Sequence, residues 1–192
     1  MKKQIKGCRE ISQVHQFLTP AEWEHFKGLL ELLPPKSVAV NIGAGCGTSG
    51  LCMVEAENIA HSYTVDYCEK DNKEGNLDWE RKSMVVAGYD PIPPAHTQIL
   101  SDSAEAGHKW AVEGDKVDFI FVDAGHSYEQ CRDDILAWLP NLKEGGLMVV
   151  HDYYGNFPGV IRAVNELLLG QKVCIERQAE GSLIAFYNTA LT

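Results

Sequence analysis

The sequence predicts a doubly wound α/β fold: seven strands, mostly parallel, with helices on both faces and an antiparallel hairpin at the C-terminus. Three observations carry this. Short apolar runs alternate with amphipathic stretches of helical period along nearly the whole chain, the pattern of strand–helix–strand units. VDFIFVD (117–123) is apolar almost throughout, as a strand covered on both faces should be. NIGAGCGTSG (41–50) sets four glycines directly behind a strand-like run and ahead of a helical one.

The first element opens at TPAEWEHFKGLLELLPP. Thr19 is a good N-cap, Pro20 suits the first helical position and Glu22 completes a capping box. Trp23, Phe26, Leu30 and Leu33 follow at helical spacing, and Pro34-Pro35 ends the helix. Residues 1–35 thus read as an N-terminal helical cap segment on a core of 36–192, the whole a single domain, the default for 192 residues. SVAVNI (37–42) is a buried strand. An amphipathic run from about Thr48 to Asn58 follows the glycine loop, and SYTVD (62–66) is a strand that ends on an acid. A helix is expected around LDWERKSMVVAG within 67–95, and that region together with the first helix is placed as a lid. TQIL (97–100) is the third strand and VDFIFVD the fourth. Ser127 and Gln130 have capping-box spacing ahead of a helix with Cys131, Ile135, Trp138 and Leu139, which LKEGG closes with Gly145 at its end. LMVVHD (147–152) is the fifth strand, and GVIRAVNELLLG a further helix. KVCIER (172–177) and SLIAFYN (182–188), separated by Gly181, make the hairpin of this Rossmann-like arrangement.

A formal net charge of −10 argues against a nucleic-acid footprint and against anionic membranes, and fits an enzyme of small molecules. MKKQIKGCRE has no apolar run behind it, so no signal peptide is expected, and no stretch approaches the roughly 18 apolar residues of a spanning helix. Six scattered cysteines without a C-x-x-C pair read as free thiols in a reducing cytoplasm. The pattern specifies no oligomeric state.

In such sheets ligands bind outside the carboxyl ends of the strands, so those ends carry the chemistry. The glycine loop has two registers. Gly45, Gly47 and Gly50 satisfy a G-x-G-x-x-G dinucleotide pattern, and Gly43, Gly45 and Gly47 the looser loop of S-adenosylmethionine enzymes. Asp66 ends the second strand, 21 residues after Gly45, where a carboxylate can accept both ribose hydroxyls of an adenosine. NAD and S-adenosylmethionine both remain open at this point. The fourth strand ends FVDAGH and the fifth VVHDYYGN, each with an aspartate (Asp123, Asp152) beside a histidine (His126, His151). If those strands are neighbours, the carboxylates converge, an arrangement suited to a hard divalent cation or to proton transfer. The plainer alternative is that each aspartate caps a helix or loop.

FVDAGHSYEQCRDDILAWLPNLKEGGLMVVHDY resembles the hallmark of class I S-adenosylmethionine-dependent methyltransferases, above all the methyltransferase domain 24 and macrocin-type O-methyltransferases. NIGAGCGTSG is similar to the loop of catechol O-methyltransferase-like enzymes. The resemblance implies that the Gly43–Gly47 backbone (Gly43, Gly45, Gly47) lies along the methionine part of the cofactor and that Ser49 reaches its carboxylate. It implies that Asp66 takes the ribose, that Asp102 and Ser103 border the adenine, that Asp123 and Asp152 hold a metal such as Mg²⁺, and that His126 is the base, with Asp123 also catalytic. Two positions depart from the family's pattern. Asn41 stands where an acid usually faces the cofactor's ammonium, and Tyr153 stands where metal-dependent relatives often carry Asp or Asn. The reading that follows is methyl transfer to a hydroxyl of a small molecule or glycan. The rivals are an NAD-linked oxidoreductase, which leaves the His-Asp-Tyr strand end without a role, and a non-catalytic cofactor-binding module, which Asn41 keeps open.

Overall fold

The computed structural model describes residues 18–67, 75–170, 172–177 and 182–190. Its elements in chain order are α1 (Pro20–Glu31), β1 (Ser37–Ile42), α2 (Thr48–Glu55), β2 (Ile59–Asp66), α3 (Asn76–Val86) and β3 (His96–Leu100), then α4 (Ser103–Glu113), β4 (Val117–Val122), α5 (Tyr128–Trp138), β5 (Leu142–Val150), α6 (Pro158–Leu167), β6 (Lys172–Arg177) and β7 (Ile184–Ala190). The seven strands form one sheet in the order β3-β2-β1-β4-β5-β7-β6. β1 to β5 are parallel, and β7 runs antiparallel between β5 and β6. The expected hairpin is therefore present; its turn at Gly181 lies outside the described residues.

Side chains alternate across the sheet and build one core on each face. Ala39, Phe119, Phe121, Leu147 and Val149 face a cluster shared with α1, α2 and α3. Val40, Ile42, Ile120, Val122, Met148 and Val150 face a second cluster with α5 and α6. The α1 capping box forms as expected: Glu22 N–H donates to Thr19 Oγ1 at 3.2 Å and Thr19 N–H to Glu22 Oε2 at 2.9 Å. The lid role expected of this helix is not what its packing serves. Trp23, Phe26, Leu29 and Leu30 are buried, and Phe26 meets Phe119 and Phe121 at ring distances of 5.7 and 4.7 Å, so α1 is a wall of the core.

One boundary differs from expectation. Gly145 does not end α5. That helix stops at Trp138, a 3₁₀ turn with Pro140 follows, and β5 has already begun at Leu142. Pro140 lacks the N–H a continued helix would need. Gly145, at φ +73°, instead sits in an irregularity of β5, where Val117 pairs with Leu142 but Phe119 with Leu147.

Candidate active site

The order of strands reverses between β1 and β4, and a cavity of about 870 Å³ opens there at their carboxyl ends. β4 and β5 are neighbours, so Asp123 and Asp152 do converge on it. Gly43, Gly45, Asp66, Asp102, Ser103, Asp123, His126 and Asp152 all line this cavity.

The four glycines divide between two purposes, and the division cuts across both registers. Gly43 and Gly45 face the cavity. Gly47 and Gly50 face α3: a Cβ on Gly47 would stand 2.6 Å from Glu80 Cα, and one on Gly50 would stand 2.0 Å from Glu80 Oε1. Glu80 is fully buried and accepts from Thr64 Oγ1 at 2.7 Å and Gln98 Nε2 at 2.8 Å. Three of the expected cofactor residues therefore sit away from the cavity wall. Gly47 caps α2 and makes room for Glu80; Ser49 is buried in the first turn of α2; Asn41 points Nδ2 toward Thr64 Oγ1 at 3.4 Å, its Oδ1 buried without a hydrogen-bond partner.

Asp66 is buried at the end of β2. Its Oδ2 accepts the Ala44 N–H at 2.6 Å, and Asn76, at the start of α3, donates to both carboxylate oxygens at 3.2 and 3.3 Å. Burial pushes this carboxyl above its ordinary pKa, and the Ala44 and Asn76 donors oppose that. Asp66 thus ties the glycine loop to α3 while facing the cavity. Asp102 caps α4 by accepting the Glu105 N–H at 3.0 Å and also stands on the cavity wall. Ser103 Oγ donates to Asp134, a buried carboxyl that the sequence did not single out and that burial pushes up to about 6.

At the other end, His126 is exposed and its Nε2 lies 2.7 Å from Asp152 Oδ2. Its ring stacks on Phe157 at 4.5 Å, and Tyr154 meets Phe157 edge-on at 5.3 Å. Asp152 has a left-handed backbone, φ +60°, uncommon outside glycine. His151 is buried behind it. Its Nδ1 lies 3.0 Å from Asp123 Oδ1 and 3.3 Å from Asp152 Oδ2, and its Nε2 lies 3.5 Å from Glu22 Oε1. Burial alone would lower the His151 pKa; Asp123, with Asp152 and Glu22, overrides this and pushes it up to about 12. Burial likewise acts to raise Glu22, but His151, Ser182 and Thr19 hold it far below the usual carboxylate range. Three carboxylates thus surround one imidazolium.

That geometry changes the account of a metal. Ligand atoms of Asp123, His126 and Asp152 lie within 4.8 Å of one another, which fits a divalent ion that keeps several waters. Both nitrogens of His151 face carboxylates, so this residue stands behind the cluster as their counter-charge. The sequence offered no sign of the Glu22–His151 contact, since it joins positions 129 residues apart.

Residues 40–153 match the family model described as a methyltransferase domain, that of methyltransferase domain 24. Among solved structures, the chain is similar to the O-methyltransferase from Bacillus cereus in complex with SAH, with TM-score 0.71 and 14% identity over 96% of this chain and 92% of that one. It is similar to an rRNA methylase from Streptococcus thermophilus, with TM-score 0.61 and 16% identity over 88% and 95%. It also resembles the MycE methyltransferase of the mycinamycin biosynthetic pathway, in complex with Mg, SAH and mycinamycin VI, with TM-score 0.59 and 16% identity over 96% of this chain and 56% of that one. The family match extends over more than half of the chain and takes in the glycine loop, Asp66 and both strand-end aspartates. The chain belongs to the methyltransferase domain 24 family of S-adenosylmethionine-dependent enzymes.

Proposed function

We propose that the protein methylates a hydroxyl of a small-molecule or glycan-like acceptor, with His126 as the base. The observation that carries this is the His126–Asp152 pair at 2.7 Å, on the wall of the same cavity that holds Asp66. S-adenosylmethionine, when bound, supplies an electrophilic methyl group for in-line transfer to the acceptor oxygen. The chain supplies alignment and removes the proton. Donation of the Nε2–H to Asp152 leaves Nδ1 of His126 as the lone-pair nitrogen that takes the hydroxyl proton. Asp152 holds the ring's tautomer, and Phe157 holds its plane. Gly43 and Gly45 bring backbone close to the methionine end, Asp66 accepts the ribose hydroxyls, and Asp102 and Ser103 border the adenine. Asn41, Gly47 and Ser49 support that loop from behind.

Six cavity-lining aspartates, at 66, 102, 123, 133, 134 and 152, with no lysine or arginine among the described lining residues, favour an uncharged or cationic acceptor over a phosphate or nucleic acid. A cytoplasmic location belongs to this reading. Cys46, Cys52 and Cys131, buried as thiols rather than in disulfides, support it; among the described residues no helix is long and apolar enough to cross a membrane.

Calorimetry with S-adenosylhomocysteine and NAD tests the reading. The first ligand binds and the second does not; NAD binding alone overturns it. Asp66→Ala is expected to weaken S-adenosylhomocysteine by about 1.5–3 kcal/mol, the usual worth of hydrogen bonds to a charged group, or roughly 10–150-fold.

A second reading rests on the ligand cluster. Asp123, Asp152 and His126 would hold Mg²⁺ or Mn²⁺, which would orient the acceptor oxygen and lower its pKa. Titrating Mn²⁺ into the S-adenosylhomocysteine-bound protein separates the two. Binding at micromolar concentration that Asp123→Asn abolishes supports the ion, and no binding at millimolar concentration leaves His126 as the proton acceptor.

A further inference from the structure

We infer that Glu22 is a positioning residue of the reacting site, holding Asp123 and Asp152 in place through His151. This rests on the assignment of those two aspartates to the site proposed above.

A capping box needs only one carboxylate oxygen, and it works at a solvent-exposed helix end. Glu22 uses Oε2 for that purpose, on Thr19 N–H at 2.9 Å. Yet the residue is buried, with Oε1 turned into the protein, away from the cap. Oε1 accepts the Ser182 N–H at 2.8 Å and the Ser182 Oγ–H at 2.6 Å, and stands 3.5 Å from His151 Nε2. His151 Nε2 is itself buried with no hydrogen-bond partner, so Glu22 is the charge that faces it. The other nitrogen, Nδ1, serves Asp123 and Asp152 at 3.0 and 3.3 Å. One imidazole therefore stands between the carboxylate of the first helix and the two that end β4 and β5. Glu22 faces the ring nitrogen opposite the aspartates, and Phe121 packs against the ring at 6.2 Å.

A second route runs in parallel. Ser182, bound twice by Glu22, accepts the Tyr153 N–H on its carbonyl at 2.8 Å, directly after Asp152. Asp152 has the left-handed backbone of φ +60°, a conformation that persists in a non-glycine residue only when its surroundings hold it. Glu22 thus reaches Asp152 from the side chain, through His151, and from the backbone, through Ser182 and Tyr153. The first helix carries no residue of the cavity wall, but it sets the geometry there.

The test compares Glu22→Gln with Thr19→Ala, which loses the helix cap and keeps the carboxylate. Side-chain ¹⁵N–¹H spectra of the full-length protein at one fixed pH read the rings of His151 and His126, and need neither cofactor nor acceptor. Glu22→Gln is expected to move both ring signals, because His126 reports on Asp152; Thr19→Ala is expected to leave them at wild-type positions while lowering the melting temperature. Unmoved His126 signals in a folded Glu22→Gln protein, or equal shifts in both variants, overturn the inference. Should Glu22→Gln fail to fold, Glu22→Asp with Ser182→Ala replaces it, on the same criterion. S-adenosylhomocysteine affinity is measured alongside. Failure of the wild type to bind it sinks the methyl-transfer reading and leaves the positioning contact standing. With an acceptor in hand, kcat should fall about 10–100-fold in Glu22→Gln, as for other groups that orient a site from behind, with the KM for S-adenosylmethionine unchanged.

Discussion

Replacing His151 with alanine is expected to destabilise the protein by about 3–5 kcal/mol, the usual loss when one member of a buried ion pair is removed. His151 stands among Glu22, Asp123 and Asp152, and all three lie within 3.5 Å of it. Its removal leaves three carboxylates sharing a buried space without their positive charge. The pH dependence separates this loss from that of a mere cavity. The folded-state pKa of His151 is raised from 6.5 to about 12. Its contribution is therefore complete below about pH 6.5 and declines as pH rises toward the folded value. Glu22 moves the other way, held below its ordinary value of 4.5, so its contribution is present above that value and lost in acid. The stability gap between wild type and His151→Ala should be widest near pH 6 and narrow on both sides. Urea unfolding at pH 4, 6 and 9 checks this; a gap of equal size at all three marks the loss as packing alone.

Gly43→Ala is expected to abolish binding of S-adenosylhomocysteine and lower the stability together. The left-handed conformation alone costs about 1–2 kcal/mol for a residue with a Cβ. Gly43 has φ +97°, and an added Cβ would stand 2.0 Å from the carbonyl oxygen of Asp123. That oxygen is backbone and cannot step aside as a flexible side chain would. The ends of β1 and β4 must then part, and they are tied by the Asp123 N–H donating to the Ile42 carbonyl at 2.9 Å. Both the glycine loop and the strand-end Asp123 shift in one change. Gly155→Ala is the contrast, since nothing lies within 4 Å of its added Cβ and its backbone is not left-handed. Calorimetry beside thermal melting reads both; a Gly43→Ala protein that binds as wild type would show that the β1–β4 contact is not part of the cofactor site.

The candidate site was legible wherever a residue ends a strand. Asp66, Asp123 and Asp152 were placed from the alternation of strands and helices, because in a parallel sheet every strand end faces the same edge. Local chemistry was equally readable: the Thr19–Glu22 box forms with both of its bonds. The glycine loop was legible as a loop and not in its parts. Gly47 and Gly50 look like ligand glycines in one dimension, yet they make space for Glu80, a buried acid that nothing in its polar helix marks. Gly145 misled for a related reason. A left-handed glycine after a helix reads as its cap, and here the same conformation serves a strand irregularity.

By itself, then, the sequence determined the seven-stranded plan, the edge that binds, and the acids that stand on it. Those follow from periodicity and from side chains that meet neighbours three or four residues away, where the chain's own geometry leaves few choices. Tertiary structure alone decided how the acids are held. Glu22 and His151 lie 129 residues apart, and Glu22 and Ser182 160 apart, so no local pattern joins them. They meet because Trp23 and Phe26 bury α1 against the sheet, which carries the carboxylate beside them out of water. A carboxylate brought there must find donors or a counter-charge, and His151 and Ser182 provide both.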